Sequence, residues 1–110
     1  MRVISQDGTI DVPYEMVVIQ RFRNAIYFLN RNLTGVEGLI NDIALAEYST
    51  KEKAIKAMEM LKEHYGLLSF MKLIAGTTKY ESFIKRFTED DFIKATTEYF
   101  QFPQDNEIEV

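Results

Sequence analysis

The sequence predicts an α+β fold, in which a small antiparallel β-sheet of about four to five strands is packed on one face by a central helix and by further C-terminal helices. Three observations predict it. Short β-type runs fill the first part of the chain, a capped amphipathic helix follows at about 50–65, and apolar stripes at helical spacing continue beyond it. With 110 residues, 46% of them hydrophobic, we expect 1–110 to form a single domain with a substantial core.

The first predicted hairpin turns at the polar triplet QDG at 6–8, between β-type runs at 3–5 and 9–12. Asp-Gly between alternating apolar residues is a strong hairpin signal, because glycine adopts a positive φ at little cost. The alternative is a ligand-binding loop, and we favour the turn. Pro13 has no N–H, so it should end the second strand or lie at a sheet edge.

Three more strands are predicted before the helix. The runs at 16–22 and 25–29 are separated by an Arg-Asn pair that fits a tight turn. Residues 30–42 are rich in loop-forming types, and a further strand is predicted at 43–48. Short strands in succession favour an antiparallel meander.

The central helix has a start signal, an end signal and an amphipathic stripe. Ser49 and Glu52 match a capping box, in which the serine caps the helix and the glutamate reaches back. Gly66 fits a C-cap, so the helix is predicted over 50–65. Its buried stripe is predicted to comprise Ala54, Ala57, Met58, Leu61 and Tyr65.

Further helices are predicted after this one. The dense apolar segment 67–76 favours a short buried helix, and 80–87 carries one more helical stripe. Thr88 precedes three acidic residues, which is typical of a helix start because the helix dipole favours negative charge in the first turn.

The chain ends on a predicted strand and a predicted tail. Residues 96–102 alternate and are rich in β-forming types, and the pattern leaves 94–98 open between helix and strand. Pro103 should stop the strand. We expect 103–110 to be an exposed acidic tail.

Composition and charge exclude several classes of protein. The chain has no cysteine, so disulfides, thiolate metal sites and cysteine nucleophiles are excluded. No apolar run approaches the ~20 residues of a membrane span and no signal-peptide pattern is present, so we expect a cytoplasmic protein without membrane contact. A net charge of −4 disfavours a general nucleic-acid binder and is compatible with docking onto a basic partner.

No catalytic, cofactor-binding or metal-binding residue is predicted. His64 is the single histidine, and it falls in the last turn of the predicted helix. We interpret it as a partly exposed residue there, rather than as a general base or metal ligand, because no second His or Cys offers ligand spacing. Asp90 and Asp91 are interpreted as helix-start acids rather than as ligands of a divalent ion.

One group of residues is a candidate surface for an anion or a partner. Arg21 and Arg23 are two positions apart, which predicts that they share a strand face, with Tyr27 on the partner strand and Arg31 after it. Two arginines near an aromatic ring can hold a phosphate, a carboxylate or a base. The alternative is an ordinary charged outer face. The phenylalanines are assigned to the core: Phe22, Phe28, Phe83, Phe87, Phe92, Phe100 and Phe102.

Three segments carry a resemblance: MRVISQDGTIDVPYE at 1–15, AEYSTKEKAIKAMEML at 46–61 and FQFPQDNEIEV at 100–110. In them the chain resembles a set of small, mostly uncharacterised proteins encoded by phages and mobile elements of Gram-positive bacteria. The resemblance implies a context in which small acidic proteins often block host defences, including CRISPR effectors, by stoichiometric binding. It supplies no catalytic residue, and it does not extend to 24–45 or 66–98.

Three functional hypotheses follow. The leading one is a non-enzymatic binding protein of phage type, which inhibits a bacterial defence system such as CRISPR-Cas by binding a host protein. The second is a small-molecule binding protein, such as a sponge for a nucleotide signal, that holds a phosphorylated ligand on the Arg/Tyr surface. The third is an enzyme that works through His64 and acidic residues. The sequence does not decide whether the apolar segment 67–87 forms core or a contact surface. It also does not decide whether the chain forms a homo-oligomer.

Overall fold

The computed structural model describes residues 1–30, 44–86 and 88–109, with the side chains of all of these except Asn30, Thr78, Phe83 and Ile84. Its strands are β1 (Arg2–Ile4), β2 (Asp11–Pro13), β3 (Val17–Phe22), β4 (Ala25–Asn30), β5 (Ala44–Glu47) and β6 (Tyr99–Gln101). Its helices are α1 (Lys51–Ile74), α2 (Thr78–Ile84) and α3 (Glu89–Thr96), and short 3₁₀ helices span Tyr14–Met16 and Asp105–Glu107. The predictions made for the loop at 31–42, for Arg31 and for the Phe83 and Phe87 side chains lie outside the described residues.

The α+β class is confirmed, but the strands form two three-stranded sheets rather than one. In the first sheet the order is β2-β1-β6, with β1 antiparallel to β2 and parallel to β6. In the second sheet β3, β4 and β5 follow one another as an antiparallel meander. The C-terminal strand can pair in parallel with β1 because the long connection between them, through β2–β5 and the three helices, returns the chain to the same end of the sheet.

The triplet at 6–8 forms a turn, as predicted. Gly8 has a φ of 79°, and its N–H donates to the Ser5 carbonyl at 2.9 Å. The Asp7 carboxylate accepts hydrogen bonds from the N–H and hydroxyl of Thr9, at 3.0 and 2.7 Å, and from the Ser5 hydroxyl at 2.7 Å. These bonds, led by the Thr9 N–H, lower the pKa of Asp7 to about 2, because they stabilise the charged carboxylate.

Gln6 joins the two sheets. Its N–H donates to the Leu45 carbonyl in β5 at 2.7 Å, and its side-chain oxygen accepts the N–H of Glu47 at 3.1 Å. Its side-chain nitrogen donates to the Pro103 carbonyl at 3.2 Å. The side-chain amide of Gln104 donates to the backbone carbonyl of Gln6 at 2.6 Å. The outer edge of β5 is therefore occupied by the corner of the first hairpin.

The start of α1 differs from the prediction by one residue. Thr50 is the N-cap, and its hydroxyl accepts the N–H of Lys53 at 3.2 Å, so the predicted Ser49 cap is wrong. The Ser49 N–H donates to the Asp105 carboxylate at 2.7 Å instead. Ser49 therefore does not cap the helix, and its backbone contacts the C-terminal segment.

The end of α1 differs much more, because the helix continues through Gly66 to Ile74. Its last turns pack against α3, where Met71, Ile74 and Ala95 form a small second core. A glycine inside a helix costs about 1 kcal/mol, and this apolar contact offsets that cost. The predicted C-cap at Gly66 is wrong, and the helix predicted at 67–76 is the second half of α1.

The main core combines both sheets, the N-terminal half of α1 and the C-terminal segment. The predicted helical stripe is confirmed at Ala54, Ala57 and Leu61, while Met58 and Tyr65 are half-buried. The buried residues of this core are Val3, Val12, Val17, Ile26, Leu45, Ala46, Tyr48, Ala54, Ala57, Leu61, Phe100, Phe102 and Ile108.

Residues 103–109 pack against the rest of the domain, so the prediction of an exposed tail at 103–110 is wrong for the described part of this segment. The Tyr48 hydroxyl donates to the Pro103 carbonyl at 2.9 Å, and the Lys53 ammonium lies 3.3 Å from the Asp105 carboxylate. Ile108 is only 4% exposed and belongs to the main core. Burial of Ile108 removes apolar surface from water and adds to these polar contacts in holding the segment.

The second C-terminal helix, α3, starts as predicted. The Thr88 hydroxyl accepts the N–H of Asp91 at 3.1 Å, and Asp90 lies in the same first turn. The helix ends at Thr96 and β6 begins at Tyr99, so the final strand is shorter than predicted. Among the helices described for this chain, none has both the length and the apolar composition that a membrane crossing requires.

Candidate functional site

The β3–β4 hairpin has an inner face toward the core and an outer face away from it. Side chains alternate along β3, and the alternation of burial puts Val17 and Ile19 inside and Val18 outside. Ile26, directly opposite Arg21, is fully buried in the core, which fixes the inner side. The outer cross-strand pairs are Val18 with Leu29, Gln20 with Tyr27 and Phe22 with Ala25.

Large apolar side chains are exposed on the outer face and at its start. Phe22 is 61% exposed and Val18 is 40% exposed, and Met16, which immediately precedes β3, is 55% exposed. Single exposed apolar residues are ordinary, but Val18 and Phe22 lie on the same face of β3, separated by Gln20, and Met16 directly precedes the strand, so the three form an exposed row. We call Met16, Val18, Phe22 and the adjoining Arg23 the outer-face row.

The tip of the hairpin pairs an aromatic ring with a cation. The Arg23 guanidinium carbon lies 5.3 Å from the centroid of the Phe22 ring, which is cation–π geometry. Arg23 has a φ of 56°, a left-handed conformation that is uncommon outside glycine and asparagine. The Arg21 guanidinium donates to the Arg23 carbonyl at 2.8 Å and so braces this turn.

The predicted Arg/Tyr surface is not assembled as expected. Arg21 lies on the inner face and Tyr27 on the outer face, so the two side chains are on opposite sides of the sheet. Arg23 is a turn residue rather than a strand residue, and it does not share a strand face with Arg21. Arg31 lies outside the described residues. Arg23 and Tyr27 both lie on the outer side of the hairpin.

The sequence interpretation missed the exposed aromatic. Phe22 was assigned to the core, and that assignment is wrong because its ring is largely exposed. Strand parity was the available signal, since Phe22 has the same parity as the polar Gln20. Phe100 and Phe102 are buried as predicted, whereas Phe28 and Phe92 are half-buried.

A cleft of about 440 Å³ lies between the start of β3 and α1. At its rim the rings of Tyr14 and Tyr65 contact each other with centroids 4.5 Å apart, and burial is the main cause that raises the pKa of Tyr14. The Glu15 carboxylate accepts from the N-terminal ammonium at 2.8 Å, which lowers its pKa. The cleft is lined by Tyr14, Glu15, Val17, Val18, Ile19, Met58, Leu61, Lys62 and Tyr65.

His64 lies in the middle of α1, not in a last turn. Its Nε2 is 2.9 Å from the Thr97 carbonyl, and its ring centroid is 5.9 Å from that of Phe100. These contacts link the helix to β6 and to the residues just before it. In the described part of the chain, no group of three or more His, Asp or Glu side chains is placed to share a metal ion.

The described side chains of the segment 67–87 are divided between core and surface. Met71 and Ile74 are buried, as expected for a core segment, whereas Leu73 is 79% exposed and Phe70 is also exposed. Ile93 on α3 adds a further exposed apolar side chain. The helical part of the chain therefore carries exposed apolar residues of its own, on a second region separate in sequence from the outer-face row.

The chain was compared with protein-family models, with curated proteins and with solved structures, and none of the three comparisons gave a match.

Proposed function

We propose that this chain is a non-enzymatic binding protein of the phage or mobile-element type, and that it docks on a host protein through the outer-face row. The observation that supports this most is the Phe22–Arg23 pair, an aromatic ring and a guanidinium held together at an exposed hairpin tip. Aromatic residues and arginine are the types that contribute most to binding energy at protein interfaces.

The backbone of the tip adds to this support. Arg23 keeps a left-handed conformation that glycine or asparagine would adopt at lower cost, and strain of this kind tends to persist where a side chain is needed for function. Holding the guanidinium over the ring before binding reduces the side-chain entropy lost on docking. A partner patch that joins an apolar pocket to a carboxylate would complement both groups.

The class of partner rests on the resemblance. The three resembling segments at 1–15, 46–61 and 100–110 converge on one core, in which Val3, Ala54 and Phe102 are buried together. The strand that carries the outer-face row lies outside those segments. We infer that the shared segments supply a scaffold and that the hairpin supplies a specific contact. In the phage context this contact serves stoichiometric inhibition of a bacterial defence system such as CRISPR-Cas.

Site-specific photo-crosslinking tests the contact. Phe22 is replaced by p-benzoylphenylalanine, and the chain is irradiated in extract of a Gram-positive host. We expect a discrete adduct with one host protein that disappears when Arg23→Glu is added. The matched control carries the same group at Glu59, an exposed position on α1. No adduct at position 22, or an equal adduct from position 59, would overturn the proposal.

The inhibitory role has its own test. The chain is expressed in cells with an active CRISPR-Cas system, and interference with an incoming plasmid is measured. We expect interference to fall, and we expect Phe22→Asp to restore it, because a charge in place of the ring cannot enter an apolar pocket. Because Phe22 is largely exposed, the fold should tolerate this change. If plasmid interference is unchanged when the wild-type chain is expressed, the chain does not inhibit that system. The crosslinking result is independent of this outcome.

A second candidate function is a small-molecule binding protein, and the cleft beside β3 favours it. Its volume is within the usual range of about 300–1,000 Å³ for ligand sites, and its lining includes the paired rings of Tyr14 and Tyr65 together with Lys62. A nucleotide that stacks a base on tyrosine and sets a phosphate near the lysine fits this chemistry. A thermal-shift panel of nucleotides should then stabilise the chain, less so after Lys62→Ala. No shift with any nucleotide would reject it.

A further inference from the structure

The open edge of β3 is a second feature of the hairpin, and it is independent of what the outer-face row binds. Within its sheet β3 pairs with β4 alone, whereas the outer edge of β5 is occupied by Gln6. A tight turn at Arg23-Asn24 makes Phe22 and Ala25 a hydrogen-bonded pair, so every second residue of β3 directs its backbone toward β4. The residues between, Ile19 and Arg21, direct their N–H and C=O groups to the open edge.

These edge groups have no backbone partner in the part of the chain that the structure describes. None of the backbone bonds outside the regular elements involves Ile19 or Arg21. The cleft lies beside the same edge, since it touches the consecutive residues 17–19, whose side chains point to opposite faces. An uncovered row of strand donors and acceptors is a template for another strand.

We propose that the edge of β3 pairs antiparallel with β3 of a second copy of this chain, about a two-fold axis at Gln20. In this register Ile19 of each copy exchanges both backbone hydrogen bonds with Arg21 of the other. The two sheets then join into one sheet across the axis, in an isologous contact that closes on itself.

The side chains of β3 complement themselves in this register. On the outer face Phe22 of one copy opposes Val18 of the other, so two exposed apolar residues cover one another. Gln20, which is uncharged, meets its own symmetry mate on the axis. The one charged side chain of the strand, Arg21, lies opposite Ile19 and not opposite a second arginine, so like charges are not paired. A strand of another sequence would have to supply these matches separately, which is why we assign the edge to a second copy.

Pairing along the edge extends the sheet in its own plane and leaves its outer side accessible. Each copy therefore still presents its Arg23 guanidinium over the Phe22 ring. Self-pairing and docking on a host protein are compatible, and either one can fail without the other.

The absence of cysteine from the sequence makes a sharp test available. Gln20→Cys puts one thiol on the axis, at a non-hydrogen-bonded pair whose Cα atoms are about 4.5 Å apart in such ladders, within disulfide reach. Val18→Cys is the matched control on the same face. Its two thiols would lie four residues apart along the strands, beyond disulfide reach.

The purified variants are oxidised mildly across a concentration series and analysed on non-reducing gels, and the wild-type chain is measured by sedimentation equilibrium. We expect a Gln20→Cys disulfide dimer in at least ~10-fold excess over Val18→Cys, because the axis holds the two thiols at high effective concentration. We also expect reversible dimerisation of the wild-type chain. Equal crosslinking of both variants, or a wild-type chain that is monomeric at every concentration, would overturn self-pairing. So would edge amides of β3 that become protected from hydrogen exchange only when host extract is added.

Discussion

The side-chain oxygen of Gln6 accepts a hydrogen bond from the backbone N–H of Glu47 at 3.1 Å, and this contact closes the outer edge of β5. The same residue donates its N–H to Leu45 and its side-chain N–H to Pro103. One glutamine at the corner of a hairpin thus connects both sheets and the C-terminal segment. The opposite edge of that sheet, β3, has no such cover among the described residues.

Gln6→Ala should destabilise the fold. It removes the side-chain hydrogen bond to Pro103, which is partly buried and contributes about 1 kcal/mol, and the bond to Glu47, which is exposed and contributes less. We expect the free energy of unfolding to fall by about 1–2 kcal/mol in urea denaturation. Gln20→Ala, at an exposed position of the outer face, is the control and should change it by less than about 0.5 kcal/mol. Equal effects of the two substitutions would contradict the linking role of Gln6.

Asp7 should make stability depend on pH in an acidic window. Its pKa is about 2 in the folded chain and near 4 when unfolded, so the unfolded chain binds more protons in between. The stability that Asp7 contributes is therefore present above pH ~4 and is lost as the pH falls toward ~2. Asp7→Asn should lower the free energy of unfolding at neutral pH. The difference in this free energy between the variant and the wild type should shrink as the pH falls through this window, as measured by urea denaturation. A gap that stays constant with pH would contradict the hydrogen-bonded carboxylate.

Ile108→Ala should lower the free energy of unfolding much more than the position of the residue near the C-terminus suggests. The side chain is 4% exposed and packs in the main core, and truncating a buried isoleucine to alanine usually costs about 2–4 kcal/mol. Glu109→Ala, at the exposed neighbouring position, should have little effect. Thermal unfolding of both variants checks this, and a melting temperature of Ile108→Ala that matches wild type would mean that the segment is not docked.

Arg23→Asn should separate stability from binding. Asparagine adopts the left-handed conformation at less cost than arginine, which favours the variant by up to about 1 kcal/mol. The loss of the guanidinium over Phe22 offsets part of this gain. We expect stability in urea to be unchanged or slightly raised, while the photo-crosslink from position 22 is lost. A retained crosslink would show that the guanidinium takes no part in the contact.

The features that local chemistry determines could be predicted from sequence. The turn at 6–8 follows from the conformational freedom of glycine, and the Thr88 cap follows from a hydroxyl that accepts from Asp91. The stripe at Ala54, Ala57 and Leu61 follows from helical periodicity. In each case the determining contacts lie within a few residues in the chain.

The features that distant contacts determine could not be predicted. Gly66 resembles a helix end, yet α1 continues because its last turns pack on Ala95 of α3. The C-terminal segment is polar in sequence, yet Ile108 reaches a core built largely by other elements. Phe22 has the parity of Gln20 in the sequence, but which face of β3 is the inner one depends on its pairing with β4. These contacts join residues that are far apart in the chain, so no local pattern in the sequence indicates them.

Amide hydrogen exchange of a dilute sample, followed residue by residue by NMR, tests the central claim that the fold leaves the β3–β4 hairpin open for contact. We expect alternation: the N–H groups of Gln20 and Phe22, which face β4, exchange slowly, and those of Ile19 and Arg21 exchange at least ~10-fold faster. Uniform protection along β3 in the dilute monomer would mean that another part of the chain covers this edge, and it would contradict the account.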